Sequence, residues 1–125
     1  MTLADIRDYV KSQLPNTKVY IGRLGSNEEN SIAIYARETN VNNIAIGGKA
    51  NTSCGVRGIK ILVHGSKNAA ETEDFANMVF DTFYSPLDAK DWWSNVKSDA
   101  PIGVGADNGN IYEYVINADI WYRKE

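Results

Sequence analysis

The sequence has few of the residues that characterise disulfide-bonded, metal-binding or membrane-spanning proteins. Its 125 residues include one cysteine, Cys54, and one histidine, His64. A single cysteine cannot form an intrachain disulfide, which favours a reducing, intracellular environment. One cysteine and one histidine are also too few for the ligand cluster of a zinc site. No apolar run approaches the ~18 residues of a membrane span, and no signal-peptide pattern opens the sequence. We therefore expect a protein without a membrane anchor.

Positive charge is also limited. The chain has 13 lysines and arginines against 16 aspartates and glutamates, and its formal net charge is −3. Proteins that bind nucleic acid usually concentrate lysine and arginine on one face, whereas here the basic residues are scattered. The composition therefore argues against specific nucleic-acid binding. Hydrophobic residues make up 43% of the chain, and this length can bury a core of its own. We predict a single domain over residues 1–125.

Apolar spacing predicts two helices. Residues 2–14 have an apolar residue every three or four positions, with Thr2 and Asp5 as a capping box. A second helix is predicted to begin near Asn68, whose side chain can cap it, with Glu71 in the first turn. Its predicted core-facing stripe has the spacing of one helix face and consists of Phe75, Met78, Val79, Thr82 and Phe83.

Alternating apolar residues predict the strands. Residues 18–24 and 31–37 are predicted to form an antiparallel hairpin, and residues 56–64 a third strand. Residues 102–106 are predicted to pair with the last strand through a two-residue turn at Asn108-Gly109. Residues 87–100 fit either a turn of helix or an irregular loop. The predicted fold is α+β, an antiparallel sheet with two helices packed on one face.

A long polar segment, residues 38–55, interrupts this pattern. It is rich in asparagine, glycine and threonine, and loops of this length in compact domains are usually functional or disordered. We predict that it is mobile in the isolated subunit and becomes ordered against a partner. Asn43, Lys49 and Asn51 are its candidate interface residues.

The candidate catalytic residues are His64 and Ser66. A serine nucleophile needs a base, a group that orients the base, and an oxyanion hole. Two side chains this close in sequence at a strand end are poorly placed to bond, so we favour a strand-to-helix turn. A hydrolase that uses this pair, or a carboxylate pair such as Glu71 with Asp74, is an alternative. The glycines of residues 103–109 precede a strand, unlike a dinucleotide-binding loop, which opens a helix. We expect no cofactor.

Aromatic residues and the mixed face of the last strand indicate a contact surface. Aromatic side chains are enriched at the centres of protein interfaces. Trp92 and Trp93 are candidates, although core packing is the alternative for them. The last strand is predicted to present a mixed polar and apolar face, whose candidate interface residues are Val115, Asn117, Asp119 and Trp121.

Several segments, in order, resemble a known protein family. They are ADIRDYVKS, KVYIGRL, NNIAIGG, GIKILVHGSKNAAETEDFANMVFDTF and ADNGNIYEYVINADIWYRKE. Together they resemble the minor capsid proteins of tailed phages of Gram-positive bacteria, a family similar to the tail terminators. The strongest likeness lies in LVHGSKNAAETE and DNGNIYEYVI, and the order of the segments carries the resemblance because no single motif is a chemical signature.

The resemblance implies a structural role. Tail terminators form a ring, commonly hexameric, that caps the tail tube, stops its growth and joins it to the head connector. The implied partners are further copies of the chain, the tail tube protein and a head-completion or connector protein. The implied location is the tail or neck of the virion, after assembly in the host cytoplasm. No catalytic residues and no cofactor are implied. The alternative is a small α+β module that binds a ligand or peptide outside any phage.

Overall fold

A computed structural model describes residues 2–22, 29–37, 54–84, 92–97, 100–106 and 109–123. Most of the 38–55 segment, including Asn43, Lys49 and Asn51, lies outside the described residues. The predicted α+β class is confirmed. The elements in chain order are α1 (Leu3–Gln13), β1 (Lys18–Ile21), β2 (Ser31–Arg37), β3 (Cys54–His64), α2 (Ala69–Tyr84), β4 (Trp92–Val96), β5 (Ile102–Ala106) and β6 (Tyr112–Arg123).

One mixed sheet contains all six of these strands. Its main order is β1-β2-β3-β6-β4, and β5 also pairs with β6. The longest ladder joins β3 to β6, from Cys54 opposite Arg123 to His64 opposite Glu113. On its other side, β6 pairs with β5 near its start and with β4 near its end. Every one of these pairs is antiparallel except β1 with β2.

The predicted antiparallel hairpin between the first two strands is therefore wrong. β1 and β2 are parallel, with Lys18 opposite Ser31 and Ile21 opposite Ile34. Alternation of apolar residues fixes which side chains share a face, but it is identical for both strand directions. Gly22 has a φ of 75° and its N–H donates to the carbonyl of Ile34 at 2.9 Å. Because a glycine adopts positive φ without steric cost, the chain can turn directly after β1.

The segment 87–100, which fits either a helical turn or a loop by sequence, contains the strand β4. Trp92 lies opposite Tyr122 and Val96 opposite Ala118. A five-residue strand with adjacent tryptophans has too short an alternation to be distinguished from other structures by sequence.

The antiparallel pairing of β5 with β6 is confirmed, whereas Asn108 of the predicted two-residue turn lies outside the described residues. Ala106 lies opposite Tyr112 in the last described pair. The ladder also has an irregularity between Gly103 and Gly105, which leaves Val104 as an extra residue. Asn110 has a φ of 63°, a conformation that asparagine tolerates better than most residues.

The core lies between the sheet and the two helices, which pack on the same face. α1 contacts β1 and β2, and α2 contacts β3, β4 and β6. The helices also meet each other, because the rings of Tyr9 and Phe83 are 6.4 Å apart in an edge-on arrangement. The fully buried aliphatic side chains come from both helices and the central strands: Ile6, Val10, Ile32, Ile34, Ile59, Ile61, Val63, Val79, Ile116 and Ile120.

The predicted helix starts are confirmed. In α1 the Thr2 hydroxyl accepts from the Asp5 N–H at 3.2 Å, and the Asp5 carboxylate accepts from the Thr2 N–H at 2.9 Å. This backbone hydrogen bond from Thr2 lowers the pKa of Asp5. Before α2 the Asn68 side chain accepts from the Glu71 N–H at 3.1 Å.

The predicted apolar stripe of α2 needs correction. Val79 and Phe83 are buried as predicted, and Phe75 is partly buried against the core, but Met78 is 54% exposed. Thr82 is half-buried, and its hydroxyl donates to the carbonyl of Met78 at 3.1 Å. The remaining buried side chains are Thr72, Ala76 and Phe80. The buried stripe is rotated because the small residues at 72 and 76 let the helix approach the sheet. A count of large apolar residues at helical spacing does not include such small residues.

Replacing Phe83 by alanine should lower the free energy of unfolding by about 3–5 kcal/mol, because the change leaves a cavity in a close-packed core. Met78→Ala is the matched control and should change it by less than about 0.5 kcal/mol, since the side chain is exposed. Urea denaturation of both variants measures the difference. Equal effects would contradict the packing of α2 described above.

Candidate interaction surface

The face of the sheet opposite the helices is the candidate functional site, here called the outer face. Cross-strand neighbours point to the same side of a sheet, so the register assigns its members. Alternate residues of β6 supply one row and the paired residues of β2 and β3 supply two more. Its half-buried or exposed side chains are Tyr35, Lys60, Leu62, Val115, Asn117 and Trp121.

The centre of the outer face is partly apolar and partly polar. Leu62 lies opposite Val115, and on the far side of Val115 lies Ile102 of β5. In the next row Lys60 lies opposite Asn117, and its ammonium is 5.6 Å from the centroid of the Tyr35 ring. An ammonium over an aromatic face is held by the quadrupole of the ring. The surface therefore combines anchored polar groups with aliphatic side chains that solvent reaches.

A buried carboxylate ties the strands of this face together. Asp119 is 1% exposed, and its oxygens lie 2.5 Å from Arg37 Nη2 and 2.7 Å from Lys97 Nζ. Gly58 stands between Arg37 and Asp119 in the register. Because Gly58 has no side chain, the guanidinium can cross over β3 to reach the carboxylate.

Arg37 has further fixed partners. Its Nη2 donates to the carbonyl of Ala118 at 3.1 Å, and its Nε donates to that of Ile59 at 3.3 Å. Arg37 ends β2 and Lys97 directly follows β4. The ion cluster thus connects β2, β6 and the end of β4. A buried charge needs both an opposite charge and hydrogen bonds to be tolerated, and this cluster supplies both.

His64 and Ser66 have different partners. His64 is buried at the end of β3, with Nδ1 3.0 Å from Glu113 Oε2 on β6. The Ser66 hydroxyl accepts from the Asn68 N–H at 3.2 Å. Thr72 also joins this turn, since its hydroxyl accepts from the Ser66 N–H at 3.0 Å. The described hydrogen bonds of Ser66 are those of a strand-to-helix turn.

Gly65 lets this turn close. Its N–H donates to the carbonyl of Tyr112 at 3.0 Å, and the Tyr112 N–H donates to the carbonyl of Ser66 at 3.0 Å. These bonds continue the β3–β6 ladder beyond β3. A Cβ atom at Gly65 would overlap the side chain of Thr72, so no larger residue fits unless that side chain moves.

The sequence-predicted interface residues lie in different environments in the structure. Val115, Asn117 and Trp121 lie half-buried on the outer face, whereas Asp119 lies within the ion cluster. The backbones of Trp92 and Trp93 belong to β4, opposite Tyr122 and Trp121. Arg37 and Lys97 are not among the sequence-predicted residues. The only sequence feature that pointed to such partners was Asp119, a charged residue inside a largely apolar strand. A charged residue that is buried there requires a partner of opposite charge.

An open cleft of about 430 Å³ lies beside α1 and β1. It is lined by Lys11, Pro15, Thr17, Lys18, Val19 and Tyr20. In the part of the chain that the structure describes, no three residues of the metal-ligating types cluster closely enough to hold a metal ion. No helix within the same ranges is long and apolar enough to cross a membrane.

Comparison with known proteins gives no family for this chain. No protein-family model matches the sequence, and no curated protein matches it at a significant level.

Removal of the buried carboxylate should destabilise the protein strongly. Asp119→Ala leaves the Arg37 guanidinium without its charge partner, which should cost about 3–5 kcal/mol of unfolding free energy. Lys97→Met is the matched control, because Lys97 is 41% exposed and an exposed ion pair contributes about 1 kcal/mol or less. Chemical denaturation at neutral pH measures both. Similar small losses in the two variants would show that the cluster does not tie the strands together.

Proposed function

We propose that this chain is a structural phage or prophage protein of the tail terminator kind. In this role it forms a homo-oligomeric ring that caps the tail tube and joins it to the head connector. The observation that supports the proposal best is the outer face, which is free of the two helices and carries half-buried apolar and aromatic side chains. Contiguous accessible apolar surface of this sort is typical of protein contact sites.

The outer face is also well ordered for binding. Its central strand, β6, pairs with β3 on one side and with β4 and β5 on the other. Arg37 and Lys97 hold Asp119 beneath the surface. A surface that is already fixed loses less conformational entropy on association. A subunit that is repeated around a ring benefits from this, because each copy contributes the same contact.

The residues take separate roles in this proposal. Val115, Asn117 and Trp121 contact a neighbouring subunit, and Asp119 acts by positioning them. Trp93, which is opposite Trp121 in the register, extends the same contact surface along β4, whereas the register assigns Trp92 to the helix-covered face opposite Tyr122. Asn43, Lys49 and Asn51, which lie outside the described residues, are proposed contacts of the tail tube or the connector. The protein performs no catalysis and binds no cofactor, and it resides in the tail or neck of the virion.

The order of the sequence segments supports the same proposal. The two strongest segments of the resemblance, residues 62–73 and 107–116, overlap the end of β3, the start of α2 and the first part of β6. These elements form the centre of the sheet and its cover. The resemblance therefore involves the part of the molecule on which the outer face depends.

A small ligand- or peptide-binding module is the second candidate, and the cleft beside α1 and β1 is the observation that favours it. Its volume of about 430 Å³ falls within the ~300–1,000 Å³ of small-molecule sites. Two of its lining residues are lysines, so an anionic ligand or an acidic peptide would suit it. This candidate predicts a monomer, whereas the terminator predicts an oligomer.

The purified protein should form rings that are visible by negative-stain electron microscopy and measurable by light scattering. Val115→Lys should convert them to monomers, because the ammonium would be desolvated in the contact. Met78→Lys is the matched control, since Met78 is exposed on α2, and it should leave the ring intact. Melting temperatures of both variants verify that they are folded.

Two results would contradict the proposal. The first is a wild-type protein that remains monomeric at the highest concentrations reached, above all if it binds an acidic peptide in the cleft. The second is a ring that Val115→Lys leaves unchanged.

A further inference from the structure

The β5–β6 hairpin is the most exposed apolar part of the described molecule. Every residue of β5 is exposed, including Ile102 at 46% and Val104 at 53%. Val104 is the extra residue of the β-bulge between Gly103 and Gly105. A bulge re-aims a side chain relative to the regular pleat. Two aliphatic side chains are therefore presented to solvent, one of them by a local distortion of the strand.

This hairpin is continuous with the outer face. Ile102 lies directly opposite Val115, and Val115 lies opposite Leu62. The apolar row therefore runs from β3 across β6 to β5. Among the described residues β5 pairs only with β6, so the row ends at the margin of the sheet, where another molecule can approach.

The cleft lies at the opposite margin of the same sheet. It borders β1, which is the first strand in the sheet order, whereas β4 and β5 are on the far side of β6. Pro15 and Val19 are the apolar aliphatic residues among those that line it. Its volume of about 430 Å³ is larger than a valine or isoleucine side chain requires.

The charges of the two surfaces are complementary. Between Ala100 and Tyr122 the chain has no lysine or arginine. Asp107 directly follows β5 in the sequence, and Glu113 is a half-buried residue of β6. Among the described residues, the cleft is lined by Lys11 and Lys18 and by no acidic side chain. Complementary charge steers association and fixes register, and it disfavours contact between two clefts or between two hairpins.

We infer that the β5–β6 hairpin of one copy seats Ile102 and Val104 in the α1–β1 cleft of the next copy. This inference rests on the proposed ring and names its subunit contact. An apolar projection on one margin and a matching cleft on another form a heterologous contact, which produces rings when the rotation closes. An isologous contact would use the same patch twice and would end at a dimer.

Two variants test the two halves of this contact. Val104→Lys places a third cation against the cleft lysines, and Lys11→Trp fills the cleft with an indole. Each protein alone should lose assembly, with the dissociation constant raised at least about tenfold, as for central interface residues. Met78→Lys and Lys67→Trp are the matched controls, because both positions are exposed and lie outside the contact.

Mixing the two variants provides the decisive measurement. The Lys11→Trp protein keeps an intact hairpin, and the Val104→Lys protein keeps an intact cleft. An equimolar mixture should therefore form a one-to-one heterodimer and nothing larger, as measured by light scattering and native mass spectrometry. A mixture that stays monomeric overturns the inference.

The remaining outcomes separate the inference from the proposed function. A wild-type ring that survives both variants overturns the hairpin-to-cleft contact but not the ring. If the wild-type protein forms open chains and both variants are monomeric, the hairpin-to-cleft contact is supported and the closed ring is overturned. A wild-type protein that shows no self-association overturns both proposals.

Discussion

The fold depends on the ladder between β3 and β6. This ladder buries Ile59 and Ile61 beside Ala118 and Ile116 on one face, and that apolar layer is what the two helices cover. A shift of register by one residue would exchange the two faces of β6. The core would then receive Asn117 and Asp119. Burial of unpaired polar and charged groups costs several kcal/mol (roughly 1–3 for a neutral group and more for a charge), so the core itself fixes what the outer face presents.

The ion cluster extends this constraint beyond the ladder. Arg37 can reach Asp119 only because β2, β3 and β6 are in one register, with Gly58 between the two side chains. Lys97 adds the end of β4 on the other side. A buried ion pair contributes little net stability compared with apolar packing, but an incorrect arrangement leaves a buried charge unpaired and is strongly disfavoured. The cluster therefore selects one arrangement of four strands, which a repeated contact surface requires.

Most helices and strands were predictable from residues that are neighbours in the sequence. Features that depend on residues distant in the sequence were not. The capping box of Thr2 with Asp5 and the alternation in β3 and β6 depend on neighbouring residues, so the sequence was sufficient to find them. The parallel direction of β1 and β2 is a non-local property of the sheet, and apolar alternation does not encode it. Strand β4 forms by pairing with β6, which is distant from it in the sequence. The outer-face residues were predictable from alternation along β6. Arg37 and Lys97 were not, since their proximity to Asp119 follows only from the register of strands distant in sequence.

The placement of the two margins explains why one small domain can serve as a repeating unit. Strand pairing sets β5 and β1 on opposite sides of the sheet, so a contact that joins them adds each copy in the same direction. In the proposed ring, the pairing of β6 on both sides and its ion pairs through Asp119 favour a constant angle between successive copies. A constant angle is the geometric condition for closure, and the number of subunits follows from its value. The proposed contacts lie at the sheet margins and on the outer face, and α1 takes part in them through Lys11 of the cleft. The apolar core between the sheet and the helices is not part of these contacts.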